Sequence, residues 1–419
     1  MIVTITPAQI GGEVKAIASK SQAHRMLICA ALSDCPCEII CGEASADIEA
    51  TVSCLNSLGA KITRCDESYK VTPISEVPKK AELDCGESGS TLRFILPVVG
   101  ALGIDARIKM HGRLPERPLS PLREEMEKKG CVIEQSGDVL SCRGHLESGE
   151  FVIDGGVSSQ FISGLLFALP LLSEESKITV TGRLQSKKYV DMTLEAREKF
   201  GVVTKSTESG FEIKPGSYTS PNTLTVEGDW SNSAFWLTAG ALSENPVKCF
   251  GIRKSSLQGD KAICDVLSRF GAKVAWQEDF AEACKAELSA SEIDASDIPD
   301  LVPIIAAAAS VARGKTVIKN AERLRIKECD RLRAVSKTLG ALGADIIETD
   351  DGLVIVGRER LFGGEIDSCN DHRIAMTAAI ASIVCENEVK ILGAEAVNKS
   401  YPTFFDDFKK LGGQIVTEA

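Results

Sequence analysis

Five short segments gather hydroxyl, carboxylate or cationic groups where a helix would begin. They are Ser19-Lys20-Ser21-Gln22-Ala23-His24-Arg25, Glu87-Ser88-Gly89-Ser90-Thr91-Leu92-Arg93, Gly156-Val157-Ser158-Ser159-Gln160, Ile298-Pro299-Asp300 and Asn370-Asp371-His372-Arg373. A helix start carries N–H groups without partners and about half a positive charge. Several such starts brought together make a site for anions. Loops elsewhere add Arg113, Arg117, Ser186, Lys187, Lys327, Arg331 and Lys399. The chain's net charge is −11, so these cations run against the background.

Taken singly, each segment also has a plain reading. Ser21 and Arg25 are four apart and share the first turn of a helix face. Lys20, placed just outside that helix, opposes its dipole, which stability alone would not select. Gly89 between two serines allows close backbone approach to a ligand, or is simply a loop glycine before a capped helix. Ser158, Ser159 and Gln160 offer two hydroxyls and an amide where one cap would need one serine. Asp300 reads as the N-cap of the apolar stretch that follows it. The run from Arg323 to Arg331, with Lys327 and Glu328 inside it, has the composition of a solvated helix start. Lys399, ahead of Ser400-Tyr401-Pro402, has the pattern of a loop lysine. Repetition of the pattern at one phase of the chain turns these into one anion site.

That phase comes from the elements that must hold the residues. Glycines at 59, 130, 201, 271, 343 and 412 follow helix-like stretches and precede β-rich ones, at spacings of 71, 71, 70, 72 and 69 residues. Glycine suits a helix end because the chain often leaves it left-handed. A second landmark at Gly42, Gly112, Gly182, Gly251, Asn320 and Gly393 keeps the same phase, with asparagine the next most tolerant residue for positive φ. Helix starts near Ser21, Ser90, Ser159, Ser231, Asp300 and Asp371 form a third. One unit reads strand, strand, strand, helix, strand, helix, with strands such as Val202–Lys205, Gly210–Lys214 and Leu224–Val226 and an amphipathic helix at 189–200. The sixth unit runs out of chain after one strand. Ile2–Thr6 and Glu13–Ala18 match the missing phases, so the N-terminus is expected to complete it. The fold expected is α/β, with two three-repeat domains, 19–227 and 1–18 plus 228–419. The chain then crosses between them twice, as a double-stranded hinge.

Composition bounds the rest. Hydrophobic residues make up 44% and charged residues 26%, as in soluble globular proteins. The acidic balance argues against nucleic acid. The first fifteen residues lack a basic start and apolar core, and runs such as 301–312 are too short to span a bilayer, so a cytoplasmic protein without membrane contact is expected. The fifteen cysteines contain no CxxC, and four histidines show no paired ligand spacing. Buried cysteines in a reducing compartment, and no metal, are expected.

In order along nearly the whole chain, these motifs resemble the 3-phosphoshikimate 1-carboxyvinyltransferase (5-enolpyruvylshikimate-3-phosphate synthase) family. The residues are SKSxxxR at 19–25, the Ser-Gly-Ser segment ending in Arg93, Glu116-Arg117-Pro118, Ser158-Ser159-Gln160, Ser186-Lys187, Ile298-Pro299-Asp300, Ile326-Lys327-Glu328-x-Asp330-Arg331, Asn370-Asp371-His372-Arg373 and Lys399-Ser-Tyr-Pro. Two departures stand out. The family often has Asn-Ala-Gly-Thr where this chain has Glu87-Ser88-Gly89-Ser90, and often Asn where it has Arg323.

The resemblance implies a six-repeat inverse barrel of βαβαββ units, in two domains that close on substrate in a cleft. It implies transfer of the enolpyruvyl group of phosphoenolpyruvate to the 5-hydroxyl of shikimate 3-phosphate, without cofactor or metal, by a protein expected to be a monomer. Arg117, Arg331, Arg373 and Lys399 would hold phosphoenolpyruvate, near Lys20 and the Gly89 backbone. Lys20, Ser21, Arg25, Ser158, Ser159, Gln160, Ser186 and Lys327 would hold shikimate 3-phosphate. Asp300 would be the base for the hydroxyl, and Glu328 with Lys20 the acid–base pair at C3. The related transferase with a UDP-sugar acceptor usually carries a reactive cysteine in a mobile loop, and 111–122 has none. A non-catalytic anion-binding repeat protein would explain the cations but not the carboxylates beside them.

Overall fold

A computed structural model describes residues 1–418. Its helices are α1 (Lys20–Ala31), α2 (Ala46–Ser57), α3 (Gly89–Leu102), α4 (Leu122–Glu127), α5 (Ser159–Ala168), α6 (Lys187–Lys199), α7 (Trp230–Leu242), α8 (Ile263–Arg269), α9 (Val302–Ala309), α10 (Arg331–Ala341), α11 (His372–Ala381) and α12 (Phe404–Lys410). Odd- and even-numbered helices differ in burial. All of α7, α9 and α11, and all of α3 but Ser90 and Leu102, are buried, as expected of helices that are apolar on every side. The even-numbered helices bury one face and turn the other to solvent.

Six four-stranded sheets accompany them. In the second repeat, Lys80–Asp84 runs parallel to Asp105–Lys109, which pairs antiparallel with Val139–Gly144, and that with Cys131–Ser136. The other five sheets repeat this order of one parallel and two antiparallel pairs. The parallel pair needs a crossover, and in four of the six sheets a single helix provides it, α3, α5, α9 or α11. The fold is thus α/β, two similar halves of three βαβαββ repeats.

The chain forms two compact units, Ala18–Val226, and Met1–Ile17 with Glu227 onward. Each has its own apolar core. In the first, α5 lies against α3 at Gly164, where a Cβ would stand 2.1 Å from the Arg93 carbonyl oxygen. No side chain fits there, so glycine sets the helix spacing.

The landmark glycines behave as the periodicity predicts. All six that end helices are left-handed, with φ from +77° to +105°, and Asn320 joins them at +59°. Gly42 is the one second-landmark residue without a positive φ. Three expectations need correction. Ile2–Thr6 does complete the sixth sheet, between Val389–Leu392 and Gln414–Glu418. Gly12–Lys15, however, joins the fourth repeat, parallel to Val247–Phe250, while Thr223–Thr225 joins the first, beside Cys37–Ile40. The two crossing segments have exchanged sheets. The Ala16 N–H on Phe250 O and the Asp229 N–H on Ile17 O hold the first of them as far as residue 17. Second, the strand expected from Val202 starts at Lys205, because the Val202 N–H closes the end of α6 on Arg197 O. Third, the caps of α1, α3 and α7 are Ser19, Ser88 and Asp229, two residues before the expected starts.

Candidate active site

In the first unit, the starts of α1, α3 and α5 carry the expected residues. Ser19 accepts from the Gln22 N–H, so Lys20 is the first residue of α1 rather than outside it. Its ammonium lies 2.9 Å from Asp47 Oδ2, on the first turn of α2. Arg25 is buried. It donates to Thr193 Oγ1 at 2.8 Å, Ser21 O at 2.5 Å and Tyr189 O at 2.9 Å, and its guanidinium sits 5.0 Å from the Phe94 ring centre. Burial lowers its pKa to about 10. Arg25 therefore brackets α1 to α6, with Ser21 contributing its carbonyl.

Gly89 has a specific spatial reason. A Cβ there would meet Arg117 Nη1 at 2.7 Å and Arg93 Nη1 at 2.9 Å, so only glycine lets two guanidinium groups close on the start of α3. Arg93 donates to Gln160 Oε1 at 2.8 Å, and Gln160 Nε2 donates to Ser90 Oγ at 2.8 Å. The Arg117 side chain has no hydrogen-bond or ion-pair partner among the described residues, and its Nε is buried. It is the cation of this unit most clearly left for a ligand. Ser158 caps α5, Ser159 is buried beside it, and Ser186 precedes α6 in a left-handed conformation at φ +54°. Serine at positive φ is held there by its surroundings, which is common at binding sites.

The second unit gathers its residues around one buried guanidinium. Arg331 is 1% exposed and reaches three carboxylates: Asp300 at 2.8 Å, Glu328 at 2.6 Å and Asp371 at 2.6 Å. Lys327 lies 3.7 Å and Arg373 3.4 Å from Asp300. Lys399 donates to Asn370 O at 2.6 Å. Asn370 and Cys369 are both left-handed, φ +54° and +52°, immediately before α11, whose cap Asp371 accepts from the Arg373 N–H. Asp300 is not the cap its sequence position suggested: no side chain caps the turn at Pro299–Leu301, and its oxygens face the three cations.

Burial and neighbouring charge together set the proton affinities here. Burial works against ionisation of Asp300, but Arg373, Lys327 and Arg331 outweigh it and hold the carboxyl well below the usual range. Burial, with Arg331 and Arg323, lowers Lys327 to about 8 despite Asp300 and Glu328. Asp260, fully buried, is pushed up to about 6 by burial and by the charge of Asp300, against Arg373 and Ser231. Asp260, Asp47 and Asp371 escaped the sequence reading as site groups. Asp371 was quoted in its motif and as a helix start but given no role, and Asp47 and Asp260 sit in no motif that spacing alone distinguishes. Arg93 was quoted in its motif but given no role.

A model of the family described as EPSP synthase (3-phosphoshikimate 1-carboxyvinyltransferase) matches residues 5–408. The 3-phosphoshikimate 1-carboxyvinyltransferase of Clostridium kluyveri is 44% identical over 417 residues, covering 99% of this chain and 98% of that one. Its namesake from Clostridium perfringens is 45% identical over 426 residues, covering 99% of each. The chain belongs to the EPSP synthase family. Solved structures agree on the fold. EPSP synthase from Acinetobacter baumannii superposes with a TM-score of 0.83 at 22% identity over all of both chains. The enolpyruvyl transferase NikO from Streptomyces tendae gives 0.77 at 16% identity, over 99% of this chain and 98% of that one. Among the described residues no helix is long and apolar enough to cross a membrane. Eleven of the fifteen cysteines are buried and none forms a disulfide, so within this EPSP synthase fold they serve mainly as small core residues.

Proposed function

We propose that this chain carries out the reaction of its family with Asp300, Glu328 and Lys20 as the groups that move protons. The 5-hydroxyl oxygen of shikimate 3-phosphate bonds to C2 of phosphoenolpyruvate, and C3 takes a proton. The tetrahedral adduct then loses a C3 proton and phosphate, leaving 5-enolpyruvylshikimate 3-phosphate. The reaction is a step of the shikimate pathway to chorismate and the aromatic amino acids.

The observation that carries the assignment is the grip of three cations on Asp300. A carboxylate so held is ionised at neutral pH but a weak base. Phosphoenolpyruvate brings its own carboxylate and phosphate. As these engage Arg373, Lys399 and Arg331, the hold on Asp300 relaxes and its proton affinity rises. The base is thus activated by the substrate that needs it. Glu328, tied to Arg331, and Lys20, tied to Asp47, are assigned to C3. Ser158, Ser159, Gln160, Ser186, Ser21, Arg25 and Lys327 are assigned to shikimate 3-phosphate, by contact or, for Arg25, by holding α1 on α6. Arg117, with the Gly89 backbone, is assigned to phosphoenolpyruvate. Arg is suited to these anions by its planar fork of donors.

Phosphate release from phosphoenolpyruvate, with shikimate 3-phosphate and the UDP-sugar compared as acceptors, tests the reading. Release only with the UDP-sugar, or with neither, would sink it.

Two further results are expected. The Ser158→Ala/Ser159→Ala double variant should raise KM for shikimate 3-phosphate about 10- to 100-fold with kcat little changed, the scale of lost hydrogen bonds to a charged group. An unchanged KM would remove these serines from the acceptor site. Second, Lys327 loses its charge as pH passes about 8. The kcat/KM for shikimate 3-phosphate, which reports the free enzyme, should fall above that pH. A Lys327→Arg variant should flatten that limb, since guanidinium stays charged, and persistence of the limb would assign it elsewhere.

A further inference from the structure

We propose that His24 is a positioning residue, acting through Thr51 and Thr91 on the Ser88–Gly89 turn. Its use for phosphoenolpyruvate rests on the functional reading above.

His24 Nδ1 lies 2.7 Å from Thr51 Oγ1, and Thr51 Oγ1 lies 2.7 Å from Thr91 Oγ1. Thr91 donates to Ser88 Oγ at 2.8 Å, and its hydroxyl also lies 3.5 Å from the Asp47 carbonyl oxygen. All four side chains are buried, none more than 1% exposed. The residues come from α1, α2 and α3, so the chain ties the start of α3 to the second turn of α1 and the middle of α2. It also closes on itself. Asp47 pairs with Lys20, and Lys20 lies one helical turn before His24 on α1.

Counting protons fixes its direction. A threonine hydroxyl has one proton to give. Thr91 gives its proton to Ser88, so Thr51 must give its own to Thr91, and His24 must donate through Nδ1–H. That leaves Nε2 as a bare acceptor, and it has no hydrogen-bond partner among the described residues. Burial, then the charges of Lys20 and Arg25, keep His24 well below the ordinary imidazole value, so the ring is neutral and the direction holds at physiological pH. Phe94 meets the ring edge-on at 6.4 Å.

The end of the relay is the useful part. Ser88 caps α3, accepting the Thr91 N–H as well, and the next residue is Gly89, over which Arg117 and Arg93 close. Ordinary capping needs only Ser88. Three further buried polar groups would carry a desolvation cost without return unless the angle of this turn mattered.

Thr51 tests this cleanly, because it lies on α2 and belongs to none of the groups assigned to substrate. Thr51→Val keeps the shape and breaks both bonds. Its KM for phosphoenolpyruvate should rise about tenfold, the scale of one hydrogen bond, with kcat and KM for shikimate 3-phosphate within about threefold. Thr51→Ser should restore wild-type values. Amide exchange of the unliganded protein over 86–92 should speed up in Thr51→Val and not over α5. If Thr51→Val fails to fold, Thr91→Val carries the same expectation. Unchanged KM and exchange would overturn the proposal, as would equal losses in all constants that serine fails to rescue. If the wild-type protein releases no phosphate, the functional reading falls, while the exchange measurement still decides whether the relay holds the turn.

Discussion

Asp300→Asn is expected to lower turnover about 10³-fold, the usual contribution of a placed general base, while the protein still folds. Asparagine keeps the shape and loses the charge that Arg331, Lys327 and Arg373 now share. The effect on binding should differ from that on turnover, and in a pH-dependent way. Asp300 is one of the two groups that raise Lys327 toward its present value of about 8. Without it, Lys327 titrates lower, and at pH 8 more of it is neutral. The KM for shikimate 3-phosphate in Asp300→Asn should therefore be near wild type at pH 6.5 and worse at pH 8, while kcat is low at both. Steady-state phosphate release at the two pH values, with thermal unfolding as the control for folding, measures this. Turnover within tenfold of wild type at pH 6.5 would show that the base lies elsewhere.

Features imposed by one stretch of backbone were legible in the sequence. A helix that must end left-handed wants glycine, and Gly59, Gly130, Gly201, Gly271, Gly343 and Gly412 all do so. A helix start wants a small acceptor, and Ser158 and Asp371 supply it. These demands recur in every repeat, so their phase could be counted. Partner choice between distant strands could not be read this way. Gly12–Lys15 has the phase of a first strand, but nothing in its alternation says that its neighbour lies at Val247–Phe250. Any first strand would fit beside any second strand of this repeat, and the exchange of 12–15 with 223–225 leaves each sheet's pattern unchanged.

The site was legible as a set of residue types and not as a set of bonds. Lys20 was picked out because a cation at a helix start opposes the dipole, and Gly89 because it lets a ligand approach the backbone, while the roles of Arg117, Asp300 and Arg373 came from the family resemblance. The function of Arg331 within the fold was hidden. Glu328 is only three residues away, but the other two carboxylates are 31 and 40 residues away at Asp300 and Asp371, and no spacing rule joins them. Asp300 was misread as a cap for the same reason: proline and aspartate ahead of an apolar run match a local rule, and the long-range charges overruled it.

Arg331→Met is expected to have the largest structural effect. The guanidinium is buried, and its removal leaves Asp300, Glu328 and Asp371 facing one another with the central countercharge gone. Breaking a buried pair from one side costs about 3–5 kcal/mol, which for a unit of this size lowers the midpoint by roughly 10 °C. The loss should fall on the second unit alone, since every partner of Arg331 lies there. Acid should reverse it. In the wild type, Asp300 is depressed, so its stabilisation is present above the unfolded carboxyl value of about 4 and lost as pH falls below it. In Arg331→Met the crowded carboxylates are pushed above that value. Stability is then gained as pH falls toward it and lost as pH rises, so the gap between variant and wild type should shrink steadily from pH 7 to pH 5. Arg331→Lys keeps the charge but, as a point charge, cannot match the fork that spans three carboxylates, and should fall between the two. Calorimetry across that pH range reads all three proteins. A midpoint for Arg331→Met within 2 °C of wild type at pH 7 would mean that Lys327 and Arg373 suffice to hold the carboxylates, and that Arg331 is free to serve substrate alone.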